Sequence, residues 1–381
     1  MLNIQGRNIQ NKSGQKIRLT GLALGGWLMM EGYMLGGRNI PEHIFRQQVP
    51  DDFIREFRNR FIAQNDVLNI KKLGFNCVRL PFNYRVLEEE GWGMKCMEIA
   101  VNWFAEQGIY VILDMHAVPG AQNADWHSDS EGKADFFEKE EHRQHYLKLW
   151  DQLSKTFKDN EFVAGYDVMN EPVTDKLDIL KQTYKDVIQV IRNNNDQHII
   201  FLEGNRWAQE VDFMEDLLQE NVTFSVHFYQ PTFFTFNQLP NLTYPGRIGG
   251  VQWNKSRIAK FLKQYTRFKV PIYVGEFGIA SRCPHCRKEY DWVRNVLQIF
   301  DNYDFHWTYW TYKSVGGMTC PDGLYQLFDD TGVIGRETEH PGMENIILKL
   351  KEDPQKVYNI LDTKYFAPSK KLIGILQNYL C

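Results

Sequence analysis

Eight short apolar runs, each separated from the next by a longer stretch, are the feature that most constrains this 381-residue chain. They fall at residues 17–24, 77–80, 110–115, 165–169, 198–202, 223–228, 272–274 and 305–309. The runs are rich in β-branched or aromatic residues and too short for helices. Gly, Pro or polar residues bound them, as expected of buried strands. Between them, residues 53–73, 94–107, 136–157, 177–193, 210–218, 255–268 and 288–302 carry apolar side chains at helical spacing. Residues 343–351 and 369–380 read as helical too. Gly74 and Gly108 stand where a left-handed residue would end a helix. Strand–helix alternation predicts a parallel sheet with helices outside. Eight repeats predict closure into a single (β/α)8 TIM barrel, whose active site would lie at the C-terminal ends of the strands.

No linker, low-complexity tract or internal repeat interrupts the pattern, so one catalytic domain over residues 1–381 is expected. A short N-terminal hairpin, with a turn at Asn11, Lys12, Ser13 and Gly14, and a C-terminal helical tail would complete it. Net charge is -4, with no basic stripe of the kind that binds nucleic acid. The most apolar early stretch, residues 19–37, holds six Gly and Glu31 and does not suit a lipid-facing helix. Residues 1–5 lack a charged segment followed by an apolar one, so no secretory leader is read there. The expected location is cytoplasmic if Met1 is the native start, and secreted if a leader was removed. A monomer is expected.

The residues that follow the strands carry the chemistry. Arg79 ends the second strand, Asp114 and His116 the third, and Asn170-Glu171-Pro172 the fourth. His227 and Tyr229 end the sixth, Glu276 the seventh and Trp310 the eighth. In a barrel these ends converge on one bowl. Glu171 and Glu276 would face each other across it. Paired carboxylates suit glycoside hydrolysis, where one carboxyl donates a proton to the leaving oxygen and the other attacks the anomeric carbon. Asn170 can bond a sugar 2-hydroxyl, and Arg79 and Tyr229 can hold Glu276 ionised. His116 and His227 can donate to hydroxyls or orient the carboxylates. The aromatic content is 14%, with ten Trp, and suits a site that stacks flat rings.

Five motifs in order resemble glycoside hydrolase family five, the cellulase family of clan A. They are Val78-Arg79-Leu80-Pro81-Phe82, Asp114-Met115-His116, Asn170-Glu171-Pro172, His227-Phe228-Tyr229 and Gly275-Glu276-Phe277-Gly278. The resemblance implies that Glu171 is the acid/base and Glu276 the nucleophile. It also implies that Arg79, His116, Asn170, His227, Tyr229 and Trp310 line the substrate pocket. Gly25-Gly26-Trp27 and Pro119-Gly120-Ala121-Gln122-Asn123 are similar to the exo-β-1,3-glucanase branch, and bring Trp27 into the expected substrate-binding set. His227 to Pro231 with Phe233-Phe234 is more similar to endoglucanases that cut β-1,4 and mixed-linkage glucans.

The expectation is therefore a retaining β-glycosidase acting on a β-linked glucan or oligosaccharide, endoglucanase-like, with no cofactor and no metal. Alternatives are an exo-β-1,3-glucanase or β-glucosidase, a β-mannanase, a glycolipid glycosidase, or a sugar-binding barrel without catalysis. Retention of both carboxylates argues against the last. The loop at residues 117–135, with Trp126 and His127, either walls one end of the cleft or is a solvated connection. Cys283-Pro284-His285-Cys286 and Cys320 have metal-like spacing but lack an assignable fourth ligand, and free thiols are expected.

Overall fold

The computed structural model describes residues 1–35, 40–239, 241–280, 288–315, 321, 323–327, 350–359 and 361–380. Cys283, Cys286, Cys320 and residues 343–349 lie outside them. Eight strands close into a parallel barrel in chain order. They are β1 (Thr20–Ala23), β2 (Cys77–Asn83), β3 (Tyr110–Ala117), β4 (Val163–Asp167), β5 (Ile199–Glu203), β6 (Val222–His227), β7 (Ile272–Phe277) and β8 (His306–Tyr309). Closure is made where β8 pairs β1, with Trp307 opposite Thr20 and Tyr309 opposite Leu22. The strands are buried along almost their whole length, so their apolar runs have no polar alternation. The tight β1–β2 approach needs Gly21, because a Cβ there would lie 2.1 Å from the Cys77 carbonyl oxygen.

Three strands run past their expected ends, β2 to Asn83, β3 to Ala117 and β7 to Phe277. Polarity suggested termination at Arg79, His116 and Glu276. These side chains instead find partners inside the barrel, so the sheet continues through them. β4 ends earlier than expected, at Asp167, and Glu171 follows in the left-handed region with φ 45.

The expected helix at residues 53–73 is two helices, Asp51–Phe61 and Gln64–Leu73. The Asp66 carboxylate accepts the Ala63 N–H at 2.8 Å and starts the second one afresh. Gly74, at φ 95, ends it. Residues 210–218 hold a 3-10 helix, Asp212–Leu217, rather than an α-helix. The helix expected at 255–268 is α-helical over Lys255–Leu262 and 3-10 over Lys263–Arg267. That expected at 136–157 begins at Glu140, after a 3-10 turn.

The bottom of the barrel is apolar. Ile112, Ile199, Phe201 and Tyr273 pack with Leu2 and Ile9 of the N-terminal hairpin, which covers this end. The hairpin continues through a turn in which the Asn11 side chain accepts from the Ser13 and Gln15 N–H groups, and then into Lys16–Ile17. At the other end, the chain beyond β8 is tied down by Lys313. Its ammonium is buried, donates to the carbonyls of Phe61 and Leu361 and to Thr363 Oγ1, and lies over the Phe61 and Phe366 rings. Burial pushes its pKa down to about 7.

Candidate active site

Arg79 is the hub of the bowl. Its side chain is wholly buried and meets five acceptors from the ends of four strands, β3, β4, β5 and β7. Nε donates to Asp167 at 3.0 Å, Nη1 to Glu276 at 2.7 Å, and Nη2 to both Asn170 Oδ1 and Glu203 at 2.9 Å. Asp114 lies 3.0 Å from Nη1. Burial alone would disfavour the charge, but Asp114, Asp167, Glu276 and Glu203 together raise the guanidinium pKa well above its ordinary value. Asp167 is pulled both ways: burial, with Glu203 beside it, pushes its pKa well up, and Arg79 opposes the shift.

The two glutamates meet beside His227. One oxygen of each carboxylate and a ring nitrogen of His227 all lie within 4.8 Å of one another. That is the close spacing of a pair in which one carboxylate attacks, rather than the wider gap of about 6.5–9.5 Å that admits a water. Glu276 accepts from Arg79 on Oε1 and from the Tyr229 hydroxyl, 2.8 Å away, on Oε2. Glu171 faces His227 Nδ1 at 2.7 Å through Oε1, and His127 Nε2 at 3.1 Å through Oε2. Its own N–H donates to Glu203 at 2.6 Å, which fixes the left-handed turn.

Burial would raise the Glu171 pKa, but the hydrogen bonds from His127 and His227 outweigh it and hold the carboxyl below the ordinary range. Burial would lower the pKa of His227, yet Glu203, Glu276 and Glu171 raise it well above the usual value. With an imidazole between two carboxylates, the trio can pass protons among its members.

Trp310, His116, Tyr33 and Trp126 form one side of the bowl. Trp310 stacks on His116 with ring centroids 5.4 Å apart at 10°, and its Nε1 donates to Tyr33 Oη. Trp126 meets Tyr33 edge-on at 5.5 Å, joining the loop after β3 to the segment after β1. The loop is pinned rather than solvated. Asp129 accepts from the His43 N–H, Asn83 Nδ2 and Arg85 Nε, and Asp125 accepts from Trp207 Nε1. Glu31 lies beneath, 4.0 Å from His116 Nε2, and burial raises its pKa to about 7, with His116 and His127 pulling the other way.

Trp27 does not join this group. It is 2% exposed in the main apolar core, and its Nε1 donates to the Arg58 carbonyl, so the expectation that it binds substrate is corrected to a packing role. Glu203, Asp167 and Glu31 belong to the site and were not singled out in the sequence. Glu203 ends β5 just as Glu276 lies near the end of β7, and that signal was open to the same reasoning. Trp310→Ala should raise KM and lower kcat through loss of a stacking face of about 1–3 kcal/mol, by analogy with base stacking. Steady-state kinetics alongside a melting curve check this, and a lower Tm with unchanged kinetics would make Trp310 a packing residue.

The profile of the cellulase family, glycosyl hydrolase family 5, matches residues 46–316. A beta-xylosidase from Phanerodontia chrysosporium is 28% identical, over 83% of this chain and 71% of the relative. Endoglucanase C from Acetivibrio thermocellus is 22% identical, over 73% of this chain and 91% of the relative. Among solved structures, a glycoside hydrolase crystal structure superposes with a TM-score of 0.66 at 17% identity, covering 96% of this chain and all of that one. With the profile spanning well over half its length, the chain belongs to the cellulase family, glycosyl hydrolase family 5, and is a retaining glycoside hydrolase.

Proposed function

We propose that the enzyme removes terminal sugars from short β-linked, glucan-type oligosaccharides, with Glu276 as nucleophile and Glu171 as acid/base. Glu276 attacks the anomeric carbon as the bond to the leaving oxygen breaks, and that oxygen takes a proton from Glu171. Arg79 and Tyr229 donate to the two Glu276 oxygens and aim the carboxylate. In the second step water gives its proton to Glu171 and its oxygen to the anomeric carbon, which frees Glu276. Asn170 is held by Arg79 through Oδ1 and faces His116 Nε2 at 3.4 Å through Nδ2, which leaves one amide N–H to meet a sugar hydroxyl.

The observation that carries the terminal-sugar reading is the aromatic wall. Trp310, Tyr33 and Trp126 pack in one cluster beside His116, so one side of the bowl is backed by packed rings. A long chain running through needs both ends open, and a backed pocket favours a chain end. The endoglucanase-like relative keeps cleft action as the second reading. Product analysis on β-1,3-, β-1,4- and mixed-linkage oligosaccharides and their polymers tests it. Steady release of one monosaccharide, with little fall in polymer viscosity, is the expected result. Rapid thinning with mixed oligosaccharides would favour cleft action.

A further inference from the structure

Both oxygens of Glu171 face imidazole nitrogens, His227 on Oε1 and His127 on Oε2. An acid that must give a proton to a leaving oxygen is here surrounded by donors. His127 resolves the conflict. Its Nε2 lies 3.1 Å from Glu171 Oε2 and also 3.1 Å from Asn123 Nδ2. The Asn123 amide cannot be reversed, because its Oδ1 accepts the Asp125 N–H at 2.8 Å and its Nδ2 donates to the Glu171 carbonyl at 2.9 Å. Nε2 therefore sits between an acceptor and a fixed donor. A hydrogen on Nε2 suits Glu171 and leaves one Asn123 N–H facing a donor. A lone pair on Nε2 suits Asn123 and requires the proton to be elsewhere.

Resting on the reading of Glu171 as acid/base, we propose that His127 is a positioning residue that stores the proton Glu171 delivers. In the resting enzyme His127 is an imidazolium with a hydrogen on each ring nitrogen, and the one on Nε2 bonds the Glu171 carboxylate. When a glycosidic oxygen arrives, the proton passes from Nε2 to Oε2. The carboxyl turns toward the leaving oxygen, and the emptied Nε2 lone pair accepts from Asn123. The C–O bond then breaks with the proton going to the leaving alcohol, which leaves Glu171 ionised and His127 neutral. The water that completes the second step returns one proton along the same route, so each turnover ends with the pair as it began.

The groups facing His127 are Glu171 after β4, Asp125 in its own loop, Glu31 after β1, and the His116 ring of β3 at 6.2 Å. His227 of β6 faces Glu171 from the other side. Burial would lower the His127 pKa, but Glu171, Glu31 and Asp125 bring it up to about 9. The pair thus keeps its one proton well above the pH at which an isolated carboxyl loses it.

The test compares kcat/KM against pH for an aryl glycoside with a poor leaving group and for a dinitrophenyl glycoside, in wild type, His127→Gln and Glu171→Ala. Glutamine can still donate to Oε2 but has no proton to release. The alkaline midpoint of His127→Gln should fall by about one pH unit or more on the poor leaving group, with the dinitrophenyl substrate changed within about twofold. An unmoved alkaline limb, or equal losses on both substrates, overturns the proposal. If Glu171→Ala itself shows no dependence on leaving group, the acid/base reading fails, and that outcome is distinct. Should His127→Gln not fold, nitrogen-15 NMR titration of His127 in wild type and Glu171→Gln decides. The midpoint should fall in the variant, and an unchanged midpoint overturns the proposal.

Discussion

Glu276→Ala should lose turnover on glucan oligosaccharides and on a dinitrophenyl glycoside alike, by about 10⁶-fold, the scale of removing a nucleophile elsewhere. Every substrate must pass through the covalent bond this residue makes, however good its leaving group. Glu171→Ala should instead discriminate. A sugar alkoxide leaves poorly without a proton, so activity on oligosaccharide should fall by about 10²–10⁴. Dinitrophenolate leaves unaided, so a burst of phenolate should survive and then stall, because no base activates water. Azide should accelerate this stalled species and give the β-glycosyl azide. In Glu276→Ala azide should give the α-azide by direct attack. Stopped-flow bursts and NMR of the azide products read these outcomes, and like behaviour of the two variants would reverse or abolish the assignment.

Arg79→Met should be the most destabilising single change in the bowl. The methionine fills part of the space but leaves Asp114, Glu203 and Glu276 buried without their shared cation. Breaking a buried charge pair from one side costs about 3–5 kcal/mol. The pH dependence should shift as well, toward greater loss of stability as pH rises. In wild type, Glu203 has a lowered pKa, held by His227 and by Arg79, so its contribution is present above the ordinary carboxylate value and is lost as pH falls through the folded one. Without Arg79 the buried carboxyls prefer protons, the folded state binds more of them than the unfolded one, and stability declines as pH rises from about 4. Chemical denaturation at several pH values reads both effects. Equal slopes for the two proteins would remove Arg79 from the role of counter-ion.

The barrel was legible because its strands are buried on both faces and so appear as uninterrupted apolar runs, with glycines marking several helix ends. The ends of β2, β3 and β7 were not, since a polar residue inside a barrel looks in sequence like a residue leaving a sheet. The break at Ile62-Ala63 was hidden for a related reason: apolar spacing continues across it, and only Asp66 bonding backward to Ala63 starts a new helix. Glu171 and Glu276 stood out because each ends an apolar run. Glu203 ends one too, but without a flanking motif it drew no attention. Asp167 lies within an inward-facing strand, and Glu31 in a glycine-rich stretch with no periodicity. Trp27 shows the opposite error, since an aromatic beside two glycines gives no hint whether its ring faces a bowl or a core.

The Lys313 clamp has a consequence for the order in which the protein is made. Two of the three oxygen acceptors that hold its buried ammonium, the Leu361 carbonyl and Thr363 Oγ1, come from residues translated about fifty positions later. A nascent chain that has emerged only as far as the barrel must leave this ammonium without those acceptors. Lys313 follows Trp310 by three residues, so the strand end that carries the aromatic wall is fastened only once the tail has left the ribosome. The last strand of the barrel thus waits for residues 361–363 before its clamp can close.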